Sequence, residues 1–217
     1  MADDYARASA EYLAAFRSDV ATLLDEEVVR GAVRPSPKEL PKANGVRYCA
    51  FTDPAGGGAD GFTLGIGHRE GMTCIVDLVR ELRGSPALIV QEYAGVLKRY
   101  GITEVTGDRY AGQWPSDEFQ RHGIRYLTSD LDRSGIYLEF MAQVNSGQTI
   151  LPPDEKIVRQ MIGLERRTGR SGRDTMIIAP AHMTTLPMLQ PVSWQCWPVR
   201  LATRSPYANF SSNPERN

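Results

Sequence analysis

Apolar and polar positions alternate with two different periods along the chain. Tyr5, Tyr12, Leu13, Phe16, Val20, Leu23, Leu24 and Val28 recur at helical spacing, which predicts a helix over residues 4–30. Ser18 and Asp19 mark a break or a second cap within it. Pro35, Pro37 and Pro41 then make a stiff, non-helical connector. From residue 46 the period shortens. Residues 46–52 and 61–68 read as strands, and Met72 to Leu78 as a third after the turn at Glu70 and Gly71. Three short strands with tight turns predict an antiparallel meander.

Helical spacing returns at Pro86, with Leu88, Ile89, Tyr93, Val96 and Leu97 on one face and a stop at Gly101. Residues 102–106 read as a fourth strand. Trp114 and Pro115 open a short helix that Gly123 ends, and Ile124 to Leu127 is a fifth strand. Helices follow near 132–145 and 154–167. A meander followed by strand–helix alternation predicts an α/β fold, a mixed sheet with helices on its faces.

Composition changes this picture at one place. The 217 residues are 41% hydrophobic and 24% charged, with a net charge of −1, enough for one domain with a buried core. No run approaches the roughly 18 apolar residues of a membrane span, and the acidic start Met1-Ala2-Asp3-Asp4 lacks a secretory apolar region. Cys49, Cys74 and Cys196 are too widely spaced for a disulfide framework or a zinc pattern, so a reducing cytoplasm is the expected compartment. Yet only Arg200, Arg204, Glu215 and Arg216 are charged among the last 42 residues, which hold two of the three tryptophans. Such a shift requires an explanation.

Two carboxylates stand at strand ends. Asp53 closes the first strand before a glycine-rich turn, and Asp108 closes the fourth. With those strands side by side, the two acids converge at one sheet edge and suit hard cations such as Mg²⁺ or Mn²⁺. Two ions about 4 Å apart can activate water on a phosphodiester. Both aspartates equally fit ordinary turn positions after strands. Asp60 can reach the same region, but turn capping is the role its position favours. The run Gly56 to Gly58 is not a nucleotide phosphate loop, since Gly-x-x-x-x-Gly-Lys-Ser/Thr occurs nowhere. Arg159, Arg166, Arg167, Arg170 and Arg173 form a basic cluster suited to phosphate contacts or to a solvated helix end. His68 and His122 show no ligand spacing and read as surface or structural residues.

At these residues the chain resembles a family. Tyr-Cys-Ala-Phe-Thr-Asp-Pro-Ala-Gly-Gly-Gly-Ala-Asp-Gly-Phe-Thr-Leu (48–64), Val-Thr-Gly-Asp-Arg-Tyr-Ala-Gly-Gln-Trp-Pro (105–115) and Leu-Glu-Arg-Arg-Thr-Gly-Arg-Ser-Gly-Arg-Asp (164–174) are similar to the C-terminal nuclease domain of phage terminase large subunits. The resemblance covers roughly residues 5–175. It implies a ribonuclease H-like fold and Mg²⁺- or Mn²⁺-dependent cleavage of concatemeric double-stranded DNA during packaging in the bacterial host cytoplasm. Asp53 and Asp108 are then metal-binding acids, with Asp60 near them. Arg109, Arg166, Arg167, Arg170 and Arg173 are the DNA contacts. The small terminase subunit and the portal protein are the implied partners. The ATPase motor that family members carry upstream is not in this chain, so residues 1–44 read as a remnant of the motor-to-nuclease connector and 45–175 as the nuclease domain.

The tail departs from the family. There an Asp-His-x-Pro-Gly stretch and a His-Asp-Asp supplying the third acid are expected, but residues 176–186 contain no carboxylate. Codons for Met176 to Gln190 can be chosen that, read from the third base, give Asp-His-Ser-Pro-Gly-Ala-His-Asp-Asp. Met176-Ile177 and Met183-Thr184 each force an Asp in that frame. Residues 176–217 therefore read as an out-of-frame tail after a single-base loss near codon 176. The expected consequence is weak or absent cleavage; a noncatalytic remnant that binds DNA or a packaging protein is the alternative.

Overall fold

The computed structural model describes residues 20–22, 24–54, 61–107, 112–129, 140–168 and 174–178. At its centre is a six-stranded sheet built from β2 (Tyr48–Asp53), β3 (Phe62–Glu70), β4 (Thr73–Leu82), β5 (Glu104–Gly107), β6 (Arg125–Thr128) and β7 (Thr149–Ile150). The spatial order is β6-β5-β2-β3-β4-β7. The three long strands form the expected antiparallel meander, whereas β5 runs parallel to β2, β6 to β5 and β7 to β4. A mixed sheet with the first and fourth predicted strands adjacent is what the alternation implied. A second sheet holds β1 (Val20–Thr22), β8 (Leu164–Thr168) and β9 (Asp174–Ile178), in the order β1-β8-β9.

Helices cover the large sheet. Pro86 at the N-terminus sets the first turn of α2 (Pro86–Tyr100), and Gly101 ends it in the left-handed conformation at φ 75°. Its buried residues Ile89, Val90, Tyr93, Ala94, Val96 and Leu97 join Phe119 of α3 (Trp114–Arg121) over Tyr48, Ala50, Phe62, Leu64, Ile66 and Leu78. A second cluster gathers Val76, Phe140, Met141, Val144, Leu151, Ile157, Val158 and Met161, with Leu24 and Val29. It takes in α1 (Glu26–Gly31), α4 (Glu155–Ile162) and the helical residues 140–145. Within β4, Leu78 serves the first cluster and Val79 the second, because successive strand residues face opposite ways. Among the described residues no helix is long and apolar enough to cross a membrane.

Two helical expectations are corrected. The helix over 4–30 does not run through 20–22, which pair antiparallel with Glu165 to Arg167 of β8. Helical structure starts only after Asp25, whose carboxylate accepts from the Glu27 amide at 2.8 Å; residues 1–19 lie outside the described residues. The helix over 154–167 stops at Ile162, where Gly163 caps it, and Leu164 onward is strand. Strand pairing, of β1 with β8 and of β8 with both β1 and β9, overrides the helical spacing of these short stretches. Of the helix near 132–145, residues 140–145 are helical and the earlier part lies outside the described residues.

Residues expected as a connector contribute to the core. Leu24 and Val29 are 1% and 0% exposed, and Val33 bridges to Leu151. The register of β3 and β4 slips between Ile66 and Gly67, which leaves Asp77 without an opposed residue. The Asp77 carbonyl instead accepts from the Leu40 amide at 2.9 Å and from Arg34 Nη2 at 3.3 Å. Arg80 closes the same crossing with two 2.8 Å hydrogen bonds to the Glu39 carboxylate. One extra residue in a strand thus gives the incoming chain its docking points.

Candidate functional site

The candidate site forms at the carboxyl end of β2. Parallel pairing places Phe51 opposite Thr106 and Thr52 opposite Gly107. Asp53 and Asp108 directly follow Thr52 and Gly107 in the sequence. Asp53 is half-buried, and Asp108 lies outside the described residues. Carboxyl ends of parallel strands are where open α/β sheets leave a crevice for ligands.

The strand ends are held firmly. Thr52 is fully buried, and its hydroxyl donates to the Thr63 carbonyl at 2.8 Å, locking β2 to β3 beside Asp53. Tyr93 of α2 is fully buried and donates its hydroxyl to the Phe62 carbonyl at 2.6 Å, with the Arg80 carbonyl in reach at 3.3 Å. Burial raises its phenol pKa, so it stays a donor. On the other side the Ser129 amide donates to the Gly107 carbonyl at 3.0 Å. Gly107 leaves room for the Tyr126 ring, which a Cβ at that position would meet. The acid-bearing end of the sheet therefore rests on short, buried contacts.

The donor set at this end is oxygen. Thr63, which pairs with Asp53, is fully buried, and among the described residues its Oγ1 has no hydrogen-bond partner. Cys49 and His68 stand towards the opposite end of the meander, five pairs or about 17 Å from Asp53 in the case of the Tyr48–His68 pair. Carboxylate and hydroxyl donors without soft ligands fit a hard divalent cation. Among the described residues alone, no three His, Cys, Asp or Glu side chains gather in a way that could hold a metal ion.

Of the other sequence candidates, Asp60, Arg109, Arg170 and Arg173 lie outside the described residues. Arg166 and Arg167 are in β8, opposite Met176 and Thr175 of β9. Arg159 lies on α4, where its Nε donates to the Glu155 carbonyl at 3.2 Å. His122 caps α3 and is partly exposed, in keeping with a structural role.

His68 is structural in a stronger sense than its spacing suggested. Its Nδ1 lies 2.7 Å from Asp77 Oδ2, with both side chains at least nine-tenths buried, and Tyr48 packs edge-on at 5.3 Å. Burial raises the Asp77 carboxyl above its ordinary range, against the opposing pull of His68. The signal in the sequence was a lone carboxylate within the apolar run Cys74-Ile75-Val76-Asp77-Leu78-Val79. Cys74, in the same strand, has its thiol pushed up to about 12 by burial, so it is an inert core residue.

No protein-family model matches the sequence, and no curated protein matches it. Solved structures do. The large terminase nuclease from thermophilic phage G20c aligns with a TM-score of 0.66 at 14% identity, over 80% of this chain and 97% of that one. The same nuclease with bound magnesium aligns with a TM-score of 0.66 at 15% identity, over 77% of this chain and 95% of that one. The HK97 bacteriophage large terminase aligns with a TM-score of 0.59 at 10% identity, over 82% of this chain but only 43% of that one. The chain has the ribonuclease H-like fold of phage large terminase nuclease domains.

Proposed function

We propose that this chain is a terminase-type nuclease domain for metal-dependent hydrolysis of double-stranded DNA, with cleavage impaired by loss of its third metal-binding acid. The observation that carries the reading is Asp53 at the carboxyl end of β2, paired in parallel with the strand that leads into Asp108. A magnesium-bound nuclease of this fold supports the choice of cation. Asp53 and Asp108 hold Mg²⁺ or Mn²⁺, with Asp60 as a further acid nearby. When bound, such an ion supplies Lewis-acid polarisation of the phosphodiester and a more acidic water. Asp53 fixes the ion at the sheet edge, and the Thr52 and Tyr93 hydrogen bonds hold that edge in place. Arg109, Arg166, Arg167, Arg170 and Arg173 seat the DNA backbone through charge-assisted contacts to phosphate.

Impairment follows from the tail. Residues 176–214 contain no Asp or Glu, so nothing there replaces the third acid that the resemblance expects. The test is incubation of the chain with linear and plasmid DNA in Mg²⁺ or Mn²⁺. Trace cleavage, or none, is expected. Robust Mn²⁺-dependent cutting that Asp53→Ala abolishes would overturn the impairment and leave the nuclease reading intact. DNA binding that persists in EDTA, without cleavage in Mn²⁺, would favour a noncatalytic binding role. Sequencing the gene around codon 176 decides the origin of the tail.

A further inference from the structure

We infer that Glu81 is a further carboxylate of the Asp53 site, placed to share a divalent cation with Asp53 across Thr63; this rests on the nuclease reading above. Asp53 pairs with Thr63, and Thr63 pairs in turn with Glu81. Directly opposed residues in antiparallel strands project from the same face of the sheet. The three side chains therefore form one cross-strand row at the end of the meander. Two interstrand spacings separate the Asp53 and Glu81 backbones by about 10 Å.

Glu81 leans from β4 across towards β3. Its side chain fills the space that a Cβ on Gly61 would occupy, two residues before Thr63, so its carboxylate lies over the entry to β3 rather than over β4. From the Asp53 position that carboxylate is then about one interstrand spacing across and about two residues, roughly 7 Å, along, a gap that a hydrated ion spans. The Glu81 side chain is only 14% exposed; Lys156 of α4 pairs with it, and Arg83 Nη2 lies 3.4 Å away. Between the two acids in the row sits Thr63, fully buried, with a hydroxyl that has no hydrogen-bond partner among the described residues. A buried hydroxyl left unpaired is destabilising unless a ligand or its water satisfies it. A hydrated cation between Asp53 and Glu81 brings donors to that hydroxyl and neutralises two carboxylates on one face. Lys156 is then the counter-ion of the metal-free state, and it competes with the cation.

Calorimetric titration of MnCl₂ into the whole chain tests this, with thermal melts in EDTA to confirm folding. Four variants are compared: D53N, E81Q, G61A and K156Q. G61A displaces Glu81 without changing its chemistry. Wild type is expected to bind Mn²⁺ saturably and D53N to lose binding. E81Q and G61A are expected to weaken binding roughly tenfold or more. K156Q, which removes the competing ammonium, is expected to tighten it severalfold. A salt bridge with a purely structural role predicts lower melting temperatures for E81Q and K156Q and no change in affinity. Unchanged affinity in E81Q, with binding lost in D53N, overturns the inference and spares the nuclease reading. Absence of saturable binding in wild type, or wild-type binding in D53N, overturns both. Should E81Q fail to fold, unchanged or weaker binding in K156Q overturns the inference.

Discussion

Replacing His68 with alanine isolates the buried His68–Asp77 contact that the strand bulge creates. Among the described residues Asp77 Oδ2 has one partner, His68 Nδ1 at 2.7 Å, and Asp77 Oδ1 has none. The Asp77 side chain is 1% exposed, so His68→Ala leaves a carboxylate with neither oxygen hydrogen-bonded and almost no water to replace the loss. Removing one member of such a pair costs about 3–5 kcal/mol while the other is charged. If Asp77 takes up a proton instead, the penalty falls towards about 1–3 kcal/mol for an unsatisfied polar group. The sign of the pH dependence follows from burial, which raises the Asp77 pKa in the folded state. A raised carboxylate contributes its full stability below the ordinary carboxylate range and loses it as pH rises through the folded pKa. Urea denaturation of wild type and H68A from pH 4.5 to 8 should therefore show a deficit that widens with pH. A double replacement by apolar residues, H68L with D77L, should recover most of it. A deficit below about 1 kcal/mol at pH 7.5, or one that does not change with pH, would refute this reasoning.

Three further outcomes follow from the contacts around the sheet. Gly107→Ala drives a Cβ into the Tyr126 ring and should cost about 1–3 kcal/mol by thermal denaturation, relieved when Tyr126 is also made smaller. Tyr93→Phe removes the hydroxyl that donates to the Phe62 carbonyl, an expected loss of about 1–2 kcal/mol in the same assay. The Glu39–Arg80 pair is partly exposed, so Glu39→Gln should cost at most about 1 kcal/mol at neutral pH. Hydrogen bonding to Arg80 lowers the Glu39 pKa, so its contribution is present above the ordinary carboxylate range and lost as pH falls through the folded pKa. Wild type and E39Q should converge in stability on acidification.

Much of the fold is local and could be read from the chain. The alternation through Ala50, Leu64 and Ile66 gave the meander, and Pro86 with Gly101 bounded α2. Strand ends followed by Asp53 and Asp108 pointed to one edge of the sheet, and the parallel pairing of β2 with β5 joins the residues just before them. What escaped the sequence depends on partners distant along the chain. Val20 to Thr22 sit in a helix-like pattern but pair with β8, more than 140 residues later. β7 is two residues long and has no period to detect. The row from Asp53 through Thr63 to Glu81 exists only through strand register, which no single segment specifies. His68 and Asp77 meet because of one slipped register, and that slip leaves no mark beyond a carboxylate in an apolar run.

A crystal structure soaked in Mn²⁺ and recorded at an anomalous wavelength tests the central claim most directly. The account predicts an anomalous peak at the carboxyl end of β2, within direct ligand distance, roughly 2.1 Å, of an Asp53 carboxylate oxygen. That peak should vanish in Asp53→Asn crystals of the same form. Mn²⁺ bound elsewhere, or density at that edge unchanged by Asp53→Asn, would contradict it.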